Sequence, residues 1–373
     1  MKREVGFTLI ELMVATAIVL VILGTTLGAL TSALNATQGI TLMADTQENL
    51  RAGMNYMVRD FTQAGVGIPQ GGITIPANTV VWPGTGGKFP AAWTVLPAIS
   101  PGYQLGPTTT TSGVASDTVT LLYADNTLQN VNLVTGATTW LNKYPINLAA
   151  SCPLGSISNS GSSPSITTTV VFDPSCININ TGNTALGAGD LILLQNNSGG
   201  CGGSNSVVAS MSCDSDNPGS SMALRTITSF NLGANTIVFA PGDAFGLNGK
   251  SLPAGTITAT RVWMISYYID NSTPARPQLM RQVNLNAAQP VGDVIENLQI
   301  FYDMLNPSAT PPALLSPTEQ ENPASANLPS IRDAYIFLFA RSQNQFLQTK
   351  NYVRNNLEAV VSVRGLDYFN EFN

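Results

Sequence analysis

Lys2-Arg3-Glu4-Val5-Gly6-Phe7-Thr8-Leu9-Ile10-Glu11-Leu12 opens an apolar run that continues to Leu30 and holds one ionisable side chain, Glu11. At 24 residues, 7–30, the run exceeds the roughly 20 needed to cross a hydrocarbon core of about 30 Å, so it reads as a membrane span. Lys2 and Arg3 precede it, and the next charges beyond it are Asp45 and Glu48. The positive-inside bias then keeps the N-terminus in the cytoplasm and exports the rest. A carboxylate within a span costs up to about 2.5–3.5 kcal/mol on insertion scales, which marks it as functional and requires a partner. A secretory signal carries its small-residue cleavage site after the apolar stretch. Here the small residue, Gly6, stands before it.

The run Lys2-Arg3 and Gly6-Phe7-Thr8-Leu9-Ile10-Glu11-Leu12 resembles the prepilin processing motif of type IV pilins and type II secretion pseudopilins. The resemblance implies that a membrane aspartyl peptidase, the prepilin peptidase, cuts between Gly6 and Phe7 and methylates the new amino terminus on Phe7. Residues 1–6 are then a cytoplasmic leader. It also implies that Glu11 faces the N-terminal ammonium of a neighbouring subunit when the apolar helices bundle into a filament, where opposite charges attract far more strongly than in water. A plain signal anchor with an incidental Glu is the alternative. It does not account for Gly6, Phe7, Thr8 and Glu11 all standing at the motif's spacing.

Beyond the span, Leu50, Met54, Met57 and Phe61 recur at helical spacing and place one apolar face on an amphipathic extension, residues 31–64. Glu48 and Arg51 stand three apart on the solvent side, and Arg59 and Asp60 border the apolar stripe. On physical grounds alone the last two read as solvating the helix end. Two glycines and a proline within 64–69 stop the helix. From Phe7 to Gln63 it would measure about 85 Å at 1.5 Å per residue, softened at Gly24, Gly28 and Gly39. Its end, residues 47–67, looks like the Leu-Arg, Arg-Asp and Ala-Gly pattern that follows the span in PilW-like minor pilins and J-type pseudopilins.

Residues 65–255 are rich in Gly, Pro, Ser, Thr and Asn, with short β-type runs at 118–123, 167–172, 190–194 and 236–240. Stretches 156–165 and 196–206 are low in complexity and read as mobile loops. Residues 256–373 change character. Here 256–270 and 276–285 read as paired strands, 291–304 as a short helix turning into a strand, and 331–342 and 352–363 as two more strands. The order Tyr-Tyr-Ile (267–269), Glu-Asn-Leu-Gln (296–299) and Ala-Arg-Ser (340–342) again resembles PilW-like pilins. The expected class is α+β, a type IV pilin-like fold: a long N-terminal helix followed by an antiparallel β-rich head with a large loop-rich insertion.

Charged residues are only 10% of the chain, as in exported proteins, and the formal net charge is -6. Removing Lys2, Arg3 and Glu4 leaves 14 basic and 21 acidic residues, or -7, which argues against a nucleic-acid binder. Cys152, Cys176, Cys201 and Cys213 all fall in the exported region, and an even count in an oxidising compartment suggests two disulfides. Three pairings are possible, with Cys152–Cys176 and Cys201–Cys213 favoured as short local loops. A metal site lacks both a CxxC spacing and any His. The absence of His also removes Ser-His-Asp and Cys-His catalysis, and no spacing singles out a carboxylate pair. Gly199-Gly200-Cys201-Gly202-Gly203 lacks the Lys-Ser/Thr of a phosphate loop. The acidic loop Asp214-Ser215-Asp216-Asn217 has Arg225 where a calcium loop needs Glu. Trp82, Trp93, Tyr103 and Trp140 suit a surface for adhesion, but half-buried core aromatics explain them more simply.

The expectation is therefore a non-enzymatic minor pilin of the PilW type that needs no cofactor. It would be inserted in the inner membrane with a periplasmic head, then assembled near the filament tip at the cell surface. Its expected partners are the prepilin peptidase, other minor and major pilins and the inner-membrane assembly platform. The alternatives are a type II secretion pseudopilin and a peptidase-processed surface adhesin.

Overall fold

The computed structural model describes residues 8–69, 72–74, 95–108, 113–125, 156–160, 167–171, 187–196, 212–213, 221–231, 233–234, 236–239, 257–306, 313–363 and 365. It is an α+β protein with one long N-terminal helix and an antiparallel β-rich head.

The helix runs Leu9–Gln63, about 82 Å at 1.5 Å per residue. Two different surfaces follow one another along it. Every side chain from residue 8 to 34 is exposed, including Leu9 at 78% and Leu27 at 57%. Burial starts at Leu42 and continues through Thr46, Leu50, Gly53, Met54, Met57, Asp60 and Phe61, a stripe at steps of three and four that faces the head. Burying side chains such as Leu50, Met57 and Phe61 is worth roughly 1.5–3 kcal/mol each. Gly53 allows close approach: a Cβ there would stand 2.9 Å from Leu279 Cδ2. The helix ends at Ala64, whose ψ is 134°. Gly67 then takes φ +70° with Ala124 Cβ only 2.6 Å from where its own Cβ would be, so glycine is required there. The departing chain is tied to the strand Thr118–Ala124 by Gly65 N–H to Leu122 O and Ala124 N–H to Val66 O, both 2.8 Å.

The head's hub is the strand Ile257–Asp270. Its first half pairs with Leu191–Asn196, and its second half pairs with both Thr118–Ala124 and Gln278–Val283, all antiparallel. Alternation sorts its faces. Ile265, Tyr267 and Ile269 join the core shared with the helix, while Val262 and Met264 join a second cluster with Ile68, Ile73, Leu191 and Leu224. A four-stranded sheet, Ala313–Leu314, Ile295–Asn306, Ile331–Gln345 and Tyr352–Ser362 in spatial order, closes the other side of the helix. Its Leu298, Ile300, Ile336, Leu338 and Val361 meet Leu50, Met54, Met57 and Phe61 in one continuous core.

Three sequence readings change. Residues 291–304 hold no helix: Gln289–Asp293 and Ile295–Asn306 are separate strands joined at Val294, which has φ +53°. The apolar spacing there serves a two-faced strand rather than a helical face. Ser156–Ser160 is a strand paired with Thr167–Val171, so its polar composition did not prevent ladder formation. Asp60 does not solvate the helix end, for the reasons given next.

Candidate functional site

Two acids sit at opposite ends of the helix, in opposite circumstances. At the N-terminus Thr8 is the cap and Glu11 the third helical residue, forming a capping box. The Thr8 N–H and hydroxyl both donate to Glu11 Oε2, at 3.0 and 2.9 Å, and the Glu11 N–H reaches Thr8 Oγ1 at 3.4 Å. Glu11 Oε1 accepts no hydrogen bond from the described residues. The capping box fixes the carboxylate at the helix tip, beside the unpaired backbone N–H groups that favour negative charge. Gly6 and Phe7, the expected processing residues, lie outside the described residues.

At the other end Asp60 is fully buried. Its Oδ2 accepts from Tyr267 Oη and from Arg281 Nε, both at 2.6 Å, and Oδ1 accepts from Arg59 Nε at 3.3 Å and Tyr123 Oη at 3.5 Å. Three neighbouring strands therefore converge on one helical carboxylate. Burial, then the negative charge of Asp60, pushes the Tyr123 and Tyr267 phenols well above their usual range. Burial works against the charge of Arg281, but the hydrogen bond to Asp60 and its attraction carry the guanidinium upward on balance. Arg59 stays half exposed and lies over Tyr56, 5.3 Å from the ring centroid. Sequence reading missed this cluster. The signal was there: Thr46, Leu50, Gly53, Met57 and Asp60 keep an unbroken four-three-four-three spacing, so Asp60 occupies a core position of the stripe.

A third acid braces the head. Asp117, preceding the strand Thr118–Ala124, is buried and accepts from the Gln104 N–H and the Ile300 N–H, each at 2.9 Å, which ties the two main sheets together. Burial raises its pKa to about 6, against those two hydrogen bonds and with help from Glu321.

The other candidates are placed unevenly. Cys152, Cys176 and Cys201 lie outside the described residues, as do Trp82, Trp93, Trp140 and Asp214-Ser215-Asp216-Asn217. Cys213 falls on the short strand Ser212–Cys213 beside Ser221. Arg225 is buried in a strand, its guanidinium 5.5 Å from the ring centroid of Phe239. No group of three or more metal-binding side chains occurs among the described residues.

The helix is long and apolar enough to cross a membrane, and its apolar window is wholly unburied. Residues 1–27 match the family described as the prokaryotic N-terminal methylation motif. Motif and helix together support a type IV pilin-like protein, anchored in the membrane and processed by a prepilin peptidase, and point to a structural rather than an enzymatic role. No curated protein and no solved structure matches the chain.

Proposed function

We propose that this protein is a minor pilin of the PilW type, assembled at or near the tip of a type IV pilus, where it primes or supports assembly. The observation that carries the reading is the match of residues 1–27 on a helix whose first 27 described residues, 8–34, are all exposed. The prepilin peptidase removes residues 1–6 and methylates Phe7. The trimmed chain then ends one residue before Thr8, the residue that holds Glu11 at the tip of the helix. Glu11 Oε1 receives the ammonium of an adjoining subunit, and the two charges meet away from water where their attraction is strong. The apolar helices exchange lipid contacts for contacts with each other, driven by close packing rather than by the hydrophobic effect. Asp60 couples the helix to the head, so that the head travels with the helix as the subunit leaves the bilayer. Other minor and major pilins and the inner-membrane assembly platform are the partners, and the head supplies specificity for them or for an outer target.

Mass spectrometry of the mature protein tests the processing step. A methylated N-terminus at Phe7 is expected, and an intact Met1 or a cut near Thr31 overturns the reading. Recovery in sheared filaments, together with other pilins that co-purify, separates a pilus subunit from a secretion pseudopilin or a displayed adhesin.

A further inference from the structure

We propose that the turn closing the last hairpin, residues 346–351, is a foot that rests in the headgroup layer of the membrane on the head's side while the subunit is in the bilayer. This rests on the membrane-anchored reading above and adds a second contact with lipid. The geometry begins with the strand Tyr352–Ser362, which lies along the helix. Phe346 Cε2 stands 3.7 Å from where a Cβ would be on Gly39, and a Cβ on Gly365 would meet Ala64 O at 2.5 Å. From Gly39 to Ala64 the helix rises about 38 Å, and extended chain from Val353 to Gly365 covers about 40 Å. The two run side by side, so the turn points down the helix toward the span.

The turn is well built. Phe346 N–H donates to Asn351 O and Lys350 N–H to Phe346 O, both at 2.8 Å, and Lys350 takes φ +56°. Leu347 N–H reaches Gln38 Oε1 at 3.4 Å, which fixes the height of the turn on the helix. Leu347 projects from it with 65% exposure, beside an exposed Lys350.

The height matches a lipid surface. With the span at 7–30, the outer edge of the hydrocarbon falls beside Thr31. Gln38 lies about 10 Å beyond, by seven residues at 1.5 Å, next to a headgroup layer of roughly 5–8 Å. Between Glu11 and Asp45 the helix carries no charge, and Leu34 and Ile40 remain exposed at this level. A groove of about 650 Å³ opens here between Gly39, Ile40 and Met43 of the helix and Phe346 and Val353 of the hairpin, room for lipid beneath the turn. An apolar tip flanked by a cation suits an interface where leucine sinks into the acyl boundary and lysine meets phosphate. A lone projecting Leu347 offers a neighbouring subunit little apolar area by comparison.

The test uses the full chain reconstituted in phosphatidylethanolamine–phosphatidylglycerol vesicles containing lipid with a shallow nitroxide. Leu347→Trp is compared with Val360→Trp, each against the native tryptophan background; both sites are exposed, so neither variant endangers the fold. Quenching about twofold stronger at Leu347→Trp is expected for a side chain held at the depth of the headgroups. Equal quenching in vesicles from which alkali fails to extract the chain overturns the foot and leaves the anchored reading intact. Extraction by alkali overturns the anchored reading and the foot with it. A difference that vanishes as the protein is diluted in lipid assigns the turn to a neighbouring subunit and also overturns the foot.

Discussion

Glu11 and Asp60 belong to one helix and face opposite problems. Asp60 stands inside the head with two strong donors at 2.6 Å and two weaker ones, so its partners are supplied by the same chain. Glu11 stands on a segment with no head around it, held by its own cap and with one carboxylate oxygen taking nothing from the described residues. A buried acid with an internal partner is architecture. An acid held ready on a bare apolar helix waits for something outside the chain. The largest expected effect follows from that contrast. Glu11→Ala should leave cleavage at Gly6–Phe7 intact yet lower recovery in sheared filaments by more than about tenfold, because the attraction it removes operates at low dielectric. Wild-type recovery of the variant on immunoblots would remove Glu11 from assembly.

Asp60 should behave differently under the same kind of change. Asp60→Ala leaves Arg281 half-buried without its counter-charge, and breaking a buried pair from one side costs about 3–5 kcal/mol. Denaturant unfolding followed by tyrosine and tryptophan fluorescence measures it. Arg59→Ala, from the exposed side of the same carboxylate, should cost about 1 kcal/mol or less. Similar losses in the two variants would show that the convergence on Asp60 is not what holds the helix to the head.

These two acids also show how much could be read from the chain. The span and the motif were legible because a single charge in 24 apolar residues is a strong departure from chance and needs no tertiary information. The pairing of the hub strand with residues 278–283 was legible because the two strands are near neighbours in sequence with alternating faces. Its pairing with residues 191–196 and 118–124 was not, since those partners are more than 60 residues away and nothing local sets their register. Asp60 was misread because its charge was weighed and its position was not. Its donors come from residues 63, 207 and 221 places distant, which no helical wheel displays. Residues 291–304 went astray for a related reason: short apolar runs suit both periods, and only the neighbouring strands decide.

Asp117 extends the comparison to an acid whose surroundings resist its charge. Its pKa is raised to about 6 from the usual value near 3.8, so the folded state holds a proton that the unfolded chain has already released between those values. Stability from this source is fully present below about pH 3.8 and is lost as pH rises through about 6. At about 1.4 kcal/mol per unit the change amounts to some 3 kcal/mol. Asp293 slopes the other way, since its hydrogen bond to Arg276 lowers its pKa. The wild type must therefore be compared with Asp117→Asn. The stability difference between them should shift by about 2 kcal/mol from pH 4 to pH 7, in favour of the wild type at the acid end. A difference that stays flat with pH would mean that the Asp117 carboxylate is adequately solvated where it stands.

The smallest effect belongs to Thr8, and it sharpens the contrast at the exposed end. Thr8→Val keeps the shape of the side chain and removes the hydroxyl that both caps the helix and donates to Glu11 Oε2. Loss of a cap costs about 1 kcal/mol, a factor of about five in an equilibrium. Because the Thr8 N–H still reaches the carboxylate, Glu11 should be held less firmly without being released. Incorporation into filaments should fall by about that factor, with processing unchanged. A second variant decides whether the hydroxyl acts through Glu11. In a Glu11→Gln background the weaker amide still caps, but the ammonium has no charge to meet, so adding Thr8→Val should change incorporation hardly at all. Equal fold losses from Thr8→Val in both backgrounds would mean that Thr8 contributes to the helix alone and does not present Glu11 to a neighbour.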